Sequence, residues 1–270
     1  MLENIVLGLI QGIAEWLPLS SDGLIVLAGK HFFNKPGNLL ESMEYALFLH
    51  LGTFFAALIY FRKDVFAILK AVFAYPKQSA EVKKLFQFLC VSTLLTGILG
   101  VIILKTLSDY LETYSVGNII TALIGFCLII TAFLQIKAKP SGFKGAPDLK
   151  LSDAFLLGVV QAFAPLPGLS RSGLTISTLF FLRFEKEQAL RISYLMSLPV
   201  IFLGNIALAI YDGFSGSGNI VFAPYSWLGL LTSFVVGIGT INILFGLARK
   251  INFGYFLIIF GILTLVSSLY

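Results

Sequence analysis

The sequence predicts an all-α integral membrane protein with about six transmembrane helices and two re-entrant helical hairpins in an inverted-topology repeat. Three observations lead to this fold class. Hydrophobic residues make up 57% of the 270-residue chain and charged residues only 12%, with a mean hydropathy of +0.92, a composition unsuited to a water-exposed surface. Long apolar runs recur along the chain, and two matched polar motifs interrupt them.

Six apolar runs are each close to the roughly 20 residues with which a helix crosses about 30 Å of hydrocarbon. These runs are residues 45–61, 85–104, 117–134, 192–211, 225–247 and 253–269. A cleaved signal peptide is not predicted, because the N-terminus carries the acid Glu3 in place of a positive region, and Gln11 and Glu15 interrupt the first apolar stretch. We therefore expect a multi-pass membrane protein.

The basic residues lie between the apolar runs and predict how the chain is oriented. Segments rich in Lys and Arg face the cytoplasm in membrane proteins, and here they are residues 62–84, 135–150, 183–191 and 249–250. The connections at 105–116 and 212–224 would then face outward. The basic residues of these cytoplasmic loops account for the net charge of +5, so this charge does not predict nucleic-acid binding.

The segment 62–84 also has a helical face of apolar residues, including Val65, Phe66, Leu69 and Val72. This pattern is typical of a helix that lies at the membrane interface. A continuation of the preceding spanning helix fits the pattern equally well, and the sequence leaves both interpretations open.

Two segments, roughly 1–27 and 151–182, differ from ordinary spans. Each begins as an amphipathic helix and then reaches helix-ending residues, which are Pro18 in the first and Pro165, Pro167 and Gly168 in the second. Irregular backbone at membrane depth is tolerated only where it is buried in protein or faces a water-filled cavity. Each segment is therefore predicted to be a re-entrant helix-turn-helix hairpin.

The two hairpins belong to an internal duplication. Six residue pairs match at a constant offset of 150: Glu3 and Asp153, Gly8 and Gly158, Gln11 and Gln161, Ala14 and Ala164, Ser20 and Ser170, and Gly23 and Gly173. We predict one membrane domain, 1–270, with repeat one at about 1–134 and repeat two at about 151–270, joined by a cytoplasmic loop 135–150. Three spans separate the hairpins, so the repeats would be inverted, and the functional site is expected near the midplane.

Charges within the two hairpins locate that site. Arg171 and Glu15 would each cost several kcal/mol if left unpaired in lipid, which makes each a predicted functional residue. If the hairpin tips meet, Arg171 faces Glu15 and Asp22 across a polar cavity. Gln11 and Glu15, four residues apart, share one helical face. A purely structural Arg–Glu pair that stabilises two broken helices is the alternative.

A guanidinium beside hydroxyls and flexible backbone, just before a helix begins, suits an anion such as phosphate. The predicted phosphate-binding residues are Ser20, Ser170, Arg171, Ser172, Gly173 and Thr175. Carboxylates opposite this site could hold a divalent cation or activate a nucleophile, and Ser20 or Ser21 could be that nucleophile.

These motifs carry a family resemblance. PGLSRSGLT, from Pro167 to Thr175, resembles the PGxSRSG signature of the undecaprenyl-diphosphatase (undecaprenyl pyrophosphate phosphatase, bacitracin-resistance) family. QGIAEWLPLSSDG, from Gln11 to Gly23, resembles its (E/Q)xxxE motif followed by LPxSSxG, and HLGTFFAALIYFRKD at 50–64 is also similar. The resemblance covers essentially the whole chain. It implies a hydrolase of the plasma (inner) membrane that removes the terminal phosphate of undecaprenyl diphosphate and so recycles the carrier lipid for cell-wall (peptidoglycan) synthesis, with a divalent cation, magnesium or calcium.

Residue by residue, the resemblance places Gln11 and Glu15 at positions for metal or water handling, Ser21 at the nucleophile and Arg171 at the phosphate. One position departs from the family, whose members commonly carry His where this chain has Leu24. Leucine cannot transfer a proton. Three consequences are open: Asp22 with Glu15 does the acid–base work, a metal-bound water does it, or phosphatase activity is lost.

His50 lies on a predicted spanning helix and is predicted either as a packing residue or as a polar contact near the cavity.

The leading prediction is a polyprenyl-diphosphate phosphatase, with Glu15, Ser21, Asp22 and Arg171 as catalytic residues. The alternatives are a transporter or flippase of a phosphorylated polyprenyl lipid without hydrolysis, and a silent lipid-phosphate-binding protein. Loss of Ser21 or Asp22 should abolish phosphate release only in an enzyme. Whether copies of the chain form a homo-oligomer is left open by the sequence.

Overall fold

The computed structural model describes residues 1–33, 39–113, 117–215, 225–248 and 250–269. Within these ranges the chain is helical and has no β-strand, which confirms the all-α prediction for the part described. The helices are α1 (Leu2–Ala14), α2 (Ser21–Phe33), α3 (Leu39–Tyr60), α4 (Arg62–Ala74), α5 (Ala80–Thr113), α6 (Gly117–Lys137), α7 (Leu151–Gln161), α8 (Arg171–Phe181), α9 (Lys186–Ser215), α10 (Ser226–Ala248) and α11 (Gly254–Ser267).

Five of the six predicted spans correspond to helices that are long and apolar enough to cross a membrane. Among the described residues these helices are α3, α5, α6, α9 and α10. The sixth predicted span, 253–269, forms the shorter apolar helix α11, which has 14 residues where about 20 are needed for a full crossing. The predicted outward connections 105–116 and 212–224 fall partly outside the described residues.

The segment that follows α3 forms a helix of its own. At Phe61 the backbone leaves the helical conformation, with φ −92° and ψ 22°, and α4 starts at the next residue. Phe66, Leu69 and Phe73 on α4 are exposed. A separate helix with exposed apolar side chains favours the interfacial interpretation of this segment over a continued span.

Two segments are broken in the middle, as predicted. Helices α1 and α2 are joined by the turn 15–20, and α7 and α8 by the turn 162–170. Helix α1 packs against α10, while α7 packs against α5, and both contacts are among the most extensive in the structure. Helices α6 and α11 pack together, as do α3 and α9. The two turns therefore lie inside a bundle rather than on its surface.

Glycines permit the close approach of α1 to α10. A Cβ atom at Gly8 would lie 2.3 Å from the carbonyl oxygen of Gly229. Gly158, which matches Gly8 at the offset of 150 residues, permits a similar but less close contact of α7 with α5, because a Cβ there would lie 3.0 Å from the carbonyl oxygen of Ser92. Small residues at such crossings let helix backbones touch, which is how helices associate within membranes.

Replacing Gly8 with Ala is expected to lower the melting temperature of the detergent-solubilised protein, because the added methyl group overpacks the α1–α10 contact at a cost of about 1–3 kcal/mol. The matched control is Gly239→Ala in α10, where an added Cβ meets nothing within 4 Å and alanine favours the helix. Equal melting temperatures for Gly8→Ala and the unaltered protein would contradict the close packing of α1 on α10.

Candidate functional site

The two turns contact each other through backbone and serine groups. The Ser170 hydroxyl donates to the Leu19 carbonyl at 2.8 Å, and the Gly168 amide donates to the Ser20 hydroxyl at 3.0 Å. The Ser172 hydroxyl donates to the Leu17 carbonyl at 3.2 Å. The hairpin tips therefore meet, and each satisfies polar groups that the other leaves without a helical partner.

Both second helices begin with a serine cap. Ser170 accepts a hydrogen bond from the Gly173 amide at 3.0 Å, and Ser20 accepts one from the Gly23 amide at 3.2 Å. A serine at this position satisfies one of the amides that a helix leaves free at its start. Ser21 and Arg171 are consequently the first residues of α2 and α8, and their side chains emerge beside the turns.

The turn before α8 needs a glycine. Gly168 has a φ of +98°, which residues with a Cβ rarely adopt. A Cβ there would also lie 2.5 Å from the Ile124 carbonyl oxygen. The glycine lets the second turn press against α6 and point its amide at Ser20.

Glu15 is the centre of the polar cluster and is only 5% exposed. Its Oε1 atom forms an ion pair with Nη2 of Arg171. Its Oε2 atom lies 3.0 Å from Nε2 of His50 and accepts hydrogen bonds from the Ser21 hydroxyl and the Gln11 amide, both at 3.2 Å. A buried carboxylate is tolerated only with such partners.

Arg171 is held by α9 as well as by Glu15. Its Nη1 group donates to the Ser193 carbonyl at 3.2 Å, and its guanidinium carbon lies 5.9 Å from the ring centroid of Tyr194, within the range of a cation–π contact. The Tyr194 hydroxyl in turn donates to the Trp16 carbonyl in the first turn. Helix α9 thus fixes the guanidinium and the turn next to it.

His50 on α3 lies against the same carboxylate. Its Nδ1 atom is 2.7 Å from the Ala46 carbonyl, and since a carbonyl only accepts hydrogen bonds, Nδ1 carries a hydrogen. Its Nε2 atom faces Glu15 and lies 3.5 Å from the Ser21 hydroxyl. The imidazole can therefore exchange a proton only at Nε2. Asp22 Oδ1 is 3.8 Å from Nδ1.

Of the two interpretations of His50 that the sequence left open, the structure shows the polar contact near the cavity, but the sequence did not predict its contact with Glu15. Its 35-residue separation from Glu15 and its place on another helix leave no spacing pattern that would reveal the contact. The same holds for Ser193 and Tyr194. Only the packing of α9 and α3 against the two turns brings these residues to the site.

The groups surround a polar cavity of about 20 Å³, room for about one water molecule. Its lining includes these predicted site residues and His50: Glu15, Ser20, Ser21, Asp22, His50, Ser170, Arg171 and Ser172. Gln11, Gly173 and Thr175 do not line it. The Thr175 hydroxyl is engaged with Ser193 Oγ at 2.7 Å and with the Arg171 carbonyl at 2.9 Å.

The described residues of the site offer few ligands for a divalent cation. No group of three His, Cys, Asp or Glu side chains in the described ranges could hold a metal ion, and both Glu15 oxygens already contact protein groups. Gln11 Oε1 is buried without a hydrogen-bond partner among the described residues, but so is Gln161 Oε1 in the other repeat, where no carboxylate accompanies it. Because the same oxygen is orphaned at the matched position of both segments, it is not by itself evidence for a metal.

Asp22 does fit a cation. Its carboxylate lines the cavity and its side chain is 29% exposed. Magnesium is commonly held by one or two carboxylates together with substrate phosphates rather than by a cage of protein ligands. The residues present thus fit a cation shared with a bound phosphate, and do not fit a site made by the protein alone.

The chain is similar over nearly its whole length to proteins of one family. Residues 4–266 match the family model described as bacitracin resistance protein BacA. The undecaprenyl-diphosphatase of Methanococcoides burtonii is 36% identical over 269 residues, which cover 98% of this chain and 97% of the relative. That of Methanothrix thermoacetophila is 34% identical, covering 99% and 96%, and that of Christiangramia forsetii is 36% identical, covering 95% and 92%.

The fold and the site therefore define a helical membrane protein with a buried site of serine, carboxylate, imidazole and guanidinium. The chain belongs to the bacitracin resistance protein BacA family, as its two motifs predicted.

Proposed function

We propose that this protein is a membrane phosphatase that hydrolyses undecaprenyl (polyprenyl) diphosphate to the monophosphate and inorganic phosphate. The observation that carries the proposal is the Ser21 hydroxyl, which lies 3.2 Å from a Glu15 carboxylate whose other oxygen pairs with Arg171. Phosphoryl transfer to a serine needs a nucleophile, a proton acceptor and a phosphate-binding cation. Relatives that match almost the full chain are named undecaprenyl-diphosphatase, which supplies the substrate class.

Arg171 would bind the terminal phosphate by exchanging partners. The cavity of about 20 Å³ is too small for a diphosphate while Arg171 is paired with Glu15. A guanidinium binds phosphate through paired N–H donors as well as it binds a carboxylate. An incoming phosphate would therefore displace Glu15, and the contacts with Ser193 and Tyr194 would keep the guanidinium in place.

Ser21 would act as the nucleophile. Its Oγ atom forms a bond to the terminal phosphorus, and the bond from that phosphorus to the bridging oxygen breaks, which releases the polyprenyl monophosphate. Water then attacks the phosphoserine, breaks its P–Oγ bond and releases inorganic phosphate, so that Ser21 is restored. Each half of the reaction begins with removal of a proton from the attacking oxygen.

His50 and Glu15 would handle those protons. The Glu15 Oε2 atom accepts the Ser21 hydrogen bond at 3.2 Å, and Nε2 of His50 lies 3.0 Å from the same oxygen. A proton taken from Ser21 can thus reside on either group, and the later water attack can use the same pair. We infer that His50 supplies the imidazole that the family resemblance leads one to expect at the position of Leu24.

The negative charge of the site and of the substrate favours a divalent cation. The cavity holds the Glu15 and Asp22 carboxylates, and a diphosphate would add further negative charge to a buried space where repulsion is strong. Magnesium or calcium held by Asp22 and the substrate would supply electrostatic stabilisation of the phosphate oxygens. The sequence predicted Gln11 and Glu15 as metal ligands. They could bind the cation together only after the ion pair between Glu15 and Arg171 is broken.

The surrounding architecture is proposed as a multi-pass protein of the plasma (inner) membrane with inverted repeats. The paired packing of α1 on α10 and of α7 on α5 supports a two-fold relation between the repeats, 1–134 and 151–270. Helix α11 would be the sixth crossing. Its 14 residues extend roughly 21 Å, so the bilayer would be thin beside it or the helix ends would be flanked by irregular chain. The loop 135–150 would face the cytoplasm.

Hydrolysis is favoured over transport of the same lipid. Transport requires that the anion be bound and released, for which Arg171 and the serine caps suffice. It has no need for a serine hydroxyl directed at a carboxylate and an imidazole, which is what the site contains.

Purified protein in detergent is expected to release phosphate from C55 polyprenyl diphosphate with magnesium or calcium, and to lose that activity with a chelator. Ser21→Ala should reduce turnover by about three orders of magnitude because it removes the nucleophile, and Arg171→Ala should remove phosphate binding. Ser177→Ala is the matched control, since Ser177 is a buried serine on α8 outside the cavity. Retained binding of the lipid with no release by the unaltered protein would favour the transport alternative.

Substitution of His50 by Gln is expected to lower kcat on the order of 10²- to 10⁴-fold, with little change in KM, because the amide can hydrogen bond to Glu15 but cannot carry a proton. The chain offers His31→Gln as a control, since His31 lies outside the polar cavity. Dimethylallyl diphosphate, which has a short chain, is a suitable substrate for both. An undiminished kcat in His50→Gln would exclude His50 from proton transfer.

The proposed orientation is checked with single cysteines in a Cys90→Ala, Cys127→Ala background. A membrane-impermeant thiol reagent should label Lys105→Cys in intact cells, whereas Lys150→Cys should react only after permeabilisation. Both positions are exposed. Labelling of Lys150→Cys in intact cells would reverse the orientation drawn from the loop charges.

A further inference from the structure

Helix α4 and the residues that follow it form a surface that the proposed reaction does not use. Residues 62–79 lie between α3 and α5, and both of those helices are long and apolar enough to cross a membrane. The chain between two such helices lies at one surface of the membrane, where the lipid head groups begin. We refer to residues 62–79 as the connecting segment.

The outward side of α4 is apolar. Phe66, Leu69 and Phe73 follow one another at spacings of three and four residues, so they share one side of the helix. All three side chains are exposed, and Phe73 is 90% exposed. Ala71, on the opposite side, is buried. A helix with this arrangement lies in the membrane interface with its apolar side among the acyl chains.

Two lysines follow one edge of that apolar side. Lys63 and Lys70 are seven residues apart, which is about two turns of helix, so they lie one above the other. The Nζ atom of Lys70 lies 4.5 Å from the ring centroid of Phe66, at the border of the apolar side. Lys77, seven residues further along the connecting segment, is exposed, as are the other two lysines.

The acid of the connecting segment is already paired with a cation of another helix. Asp64 forms an ion pair with Nη2 of Arg191 on α9, and Nη1 of Arg191 lies 3.6 Å from Glu81 on α5. Asp64 is the only acid in the sequence of residues 62–79, so Arg191 leaves the segment with a positive charge. Its basic residues are Arg62, Lys63, Lys70 and Lys77.

We propose that the connecting segment binds an anionic phospholipid, whose phosphate is held by Lys63 and Lys70 and whose acyl chains lie against Phe66 and Phe73. The charge of the segment is complementary to an anionic head group, whereas a zwitterionic head group also carries a cation that the lysines repel. Each basic residue near a membrane surface strengthens the binding of anionic lipid by about fivefold. The proposal does not depend on the phosphatase activity.

A lipid fits this surface better than a protein partner. The apolar side chains and the lysines lie side by side along one helix, in the way that acyl chains and head groups adjoin at the membrane interface. The bilayer itself covers Phe66 and Phe73, so no protein is needed to shield them from water. One molecule with a phosphate and two hydrocarbon chains contacts both parts of the surface.

The proposal is tested with a fluorophore at Val72→Cys on α4, in a full-length Cys90→Ala, Cys127→Ala background. The protein is reconstituted in phosphatidylcholine vesicles that contain nitroxide-labelled phosphatidylglycerol or an equal amount of nitroxide-labelled phosphatidylcholine. From one or two lysines at about fivefold each, quenching should show a five- to twenty-five-fold preference for phosphatidylglycerol. The labelled lipid is in both leaflets, so the result does not depend on the orientation of the chain.

A second fluorophore position controls for lipid contact in general. Ile98 on α5 is exposed, like Val72, but lies within a spanning helix away from the connecting segment. A fluorophore at Ile98→Cys should be quenched equally by both lipids. Raising the salt from about 0.1 M to about 1 M shortens the Debye length from about 10 Å to about 3 Å, and it should weaken the preference at Val72→Cys.

Charge variants identify the residues responsible. The combined substitution Lys63→Gln, Lys70→Gln, Lys77→Gln should bring the preference at Val72→Cys close to one, whereas arginine at the same three positions should keep it. These side chains are exposed, so the melting temperature in detergent should not change.

The matched control removes the same charge from exposed lysines outside the connecting segment, with Lys105→Gln, Lys139→Gln, Lys150→Gln. It should keep the preference. Equal quenching of Val72→Cys by the two lipids in the unaltered background would overturn the proposal. An equal loss in the matched control would also overturn it, because net charge and not α4 would then attract the lipid. Neither result would bear on phosphate release, which is measured separately.

Discussion

The buried carboxylate of Glu15 is the constraint on which the centre of this structure depends. An ionised group that is 5% exposed is tolerated only if charges and donors replace the lost water. Here the replacements come from four helices: Gln11 on α1, Ser21 on α2, His50 on α3 and Arg171 on α8. A shift of any of these helices would remove one of the partners that stabilise the buried carboxylate. The packing of α1 against α10 through Gly8 and the serine caps of α2 and α8 therefore serve a common end, since they fix the distances around one carboxylate.

The sequence match between the two broken segments would explain how such a site can arise by duplication. Ser20 and Ser170 are matched in sequence and cap equivalent helices. The next residues, Ser21 and Arg171, are also matched, yet one offers a hydroxyl and the other a guanidinium. Pro165 stands where the first segment has Glu15. The two segments thus share a scaffold but differ in chemistry. The first contributes the carboxylates and the proposed nucleophile, and the second contributes the guanidinium. Because the two turns contact each other, the divided groups meet in one cavity.

Much of this arrangement could be predicted from the sequence because it depends on local signals. Apolar runs of about 20 residues identify spanning helices, and prolines after an amphipathic stretch identify the broken segments. The meeting of Arg171 with Glu15 followed from the cost of leaving either alone in lipid. The rest depends on contacts between distant helices. No local pattern places His50 beside Glu15, engages the Thr175 hydroxyl with Ser193, or ends α11 after 14 residues.

The Arg171–Glu15 ion pair stabilises the site in this arrangement, and in the proposed mechanism it would prepare the site for an anion. Arg171 is also bound to the Ser193 carbonyl and lies against Tyr194, so its orientation does not depend on Glu15 alone. A phosphate that replaces the carboxylate therefore finds the guanidinium already placed, and the exchange of one anion for another leaves its charge balanced. Glu15 then retains Gln11, Ser21 and His50 as partners. In the proposed mechanism, the same exchange would leave Glu15 facing the Ser21 hydroxyl that attacks the phosphate, and substrate binding would thereby be coupled to activation of the nucleophile.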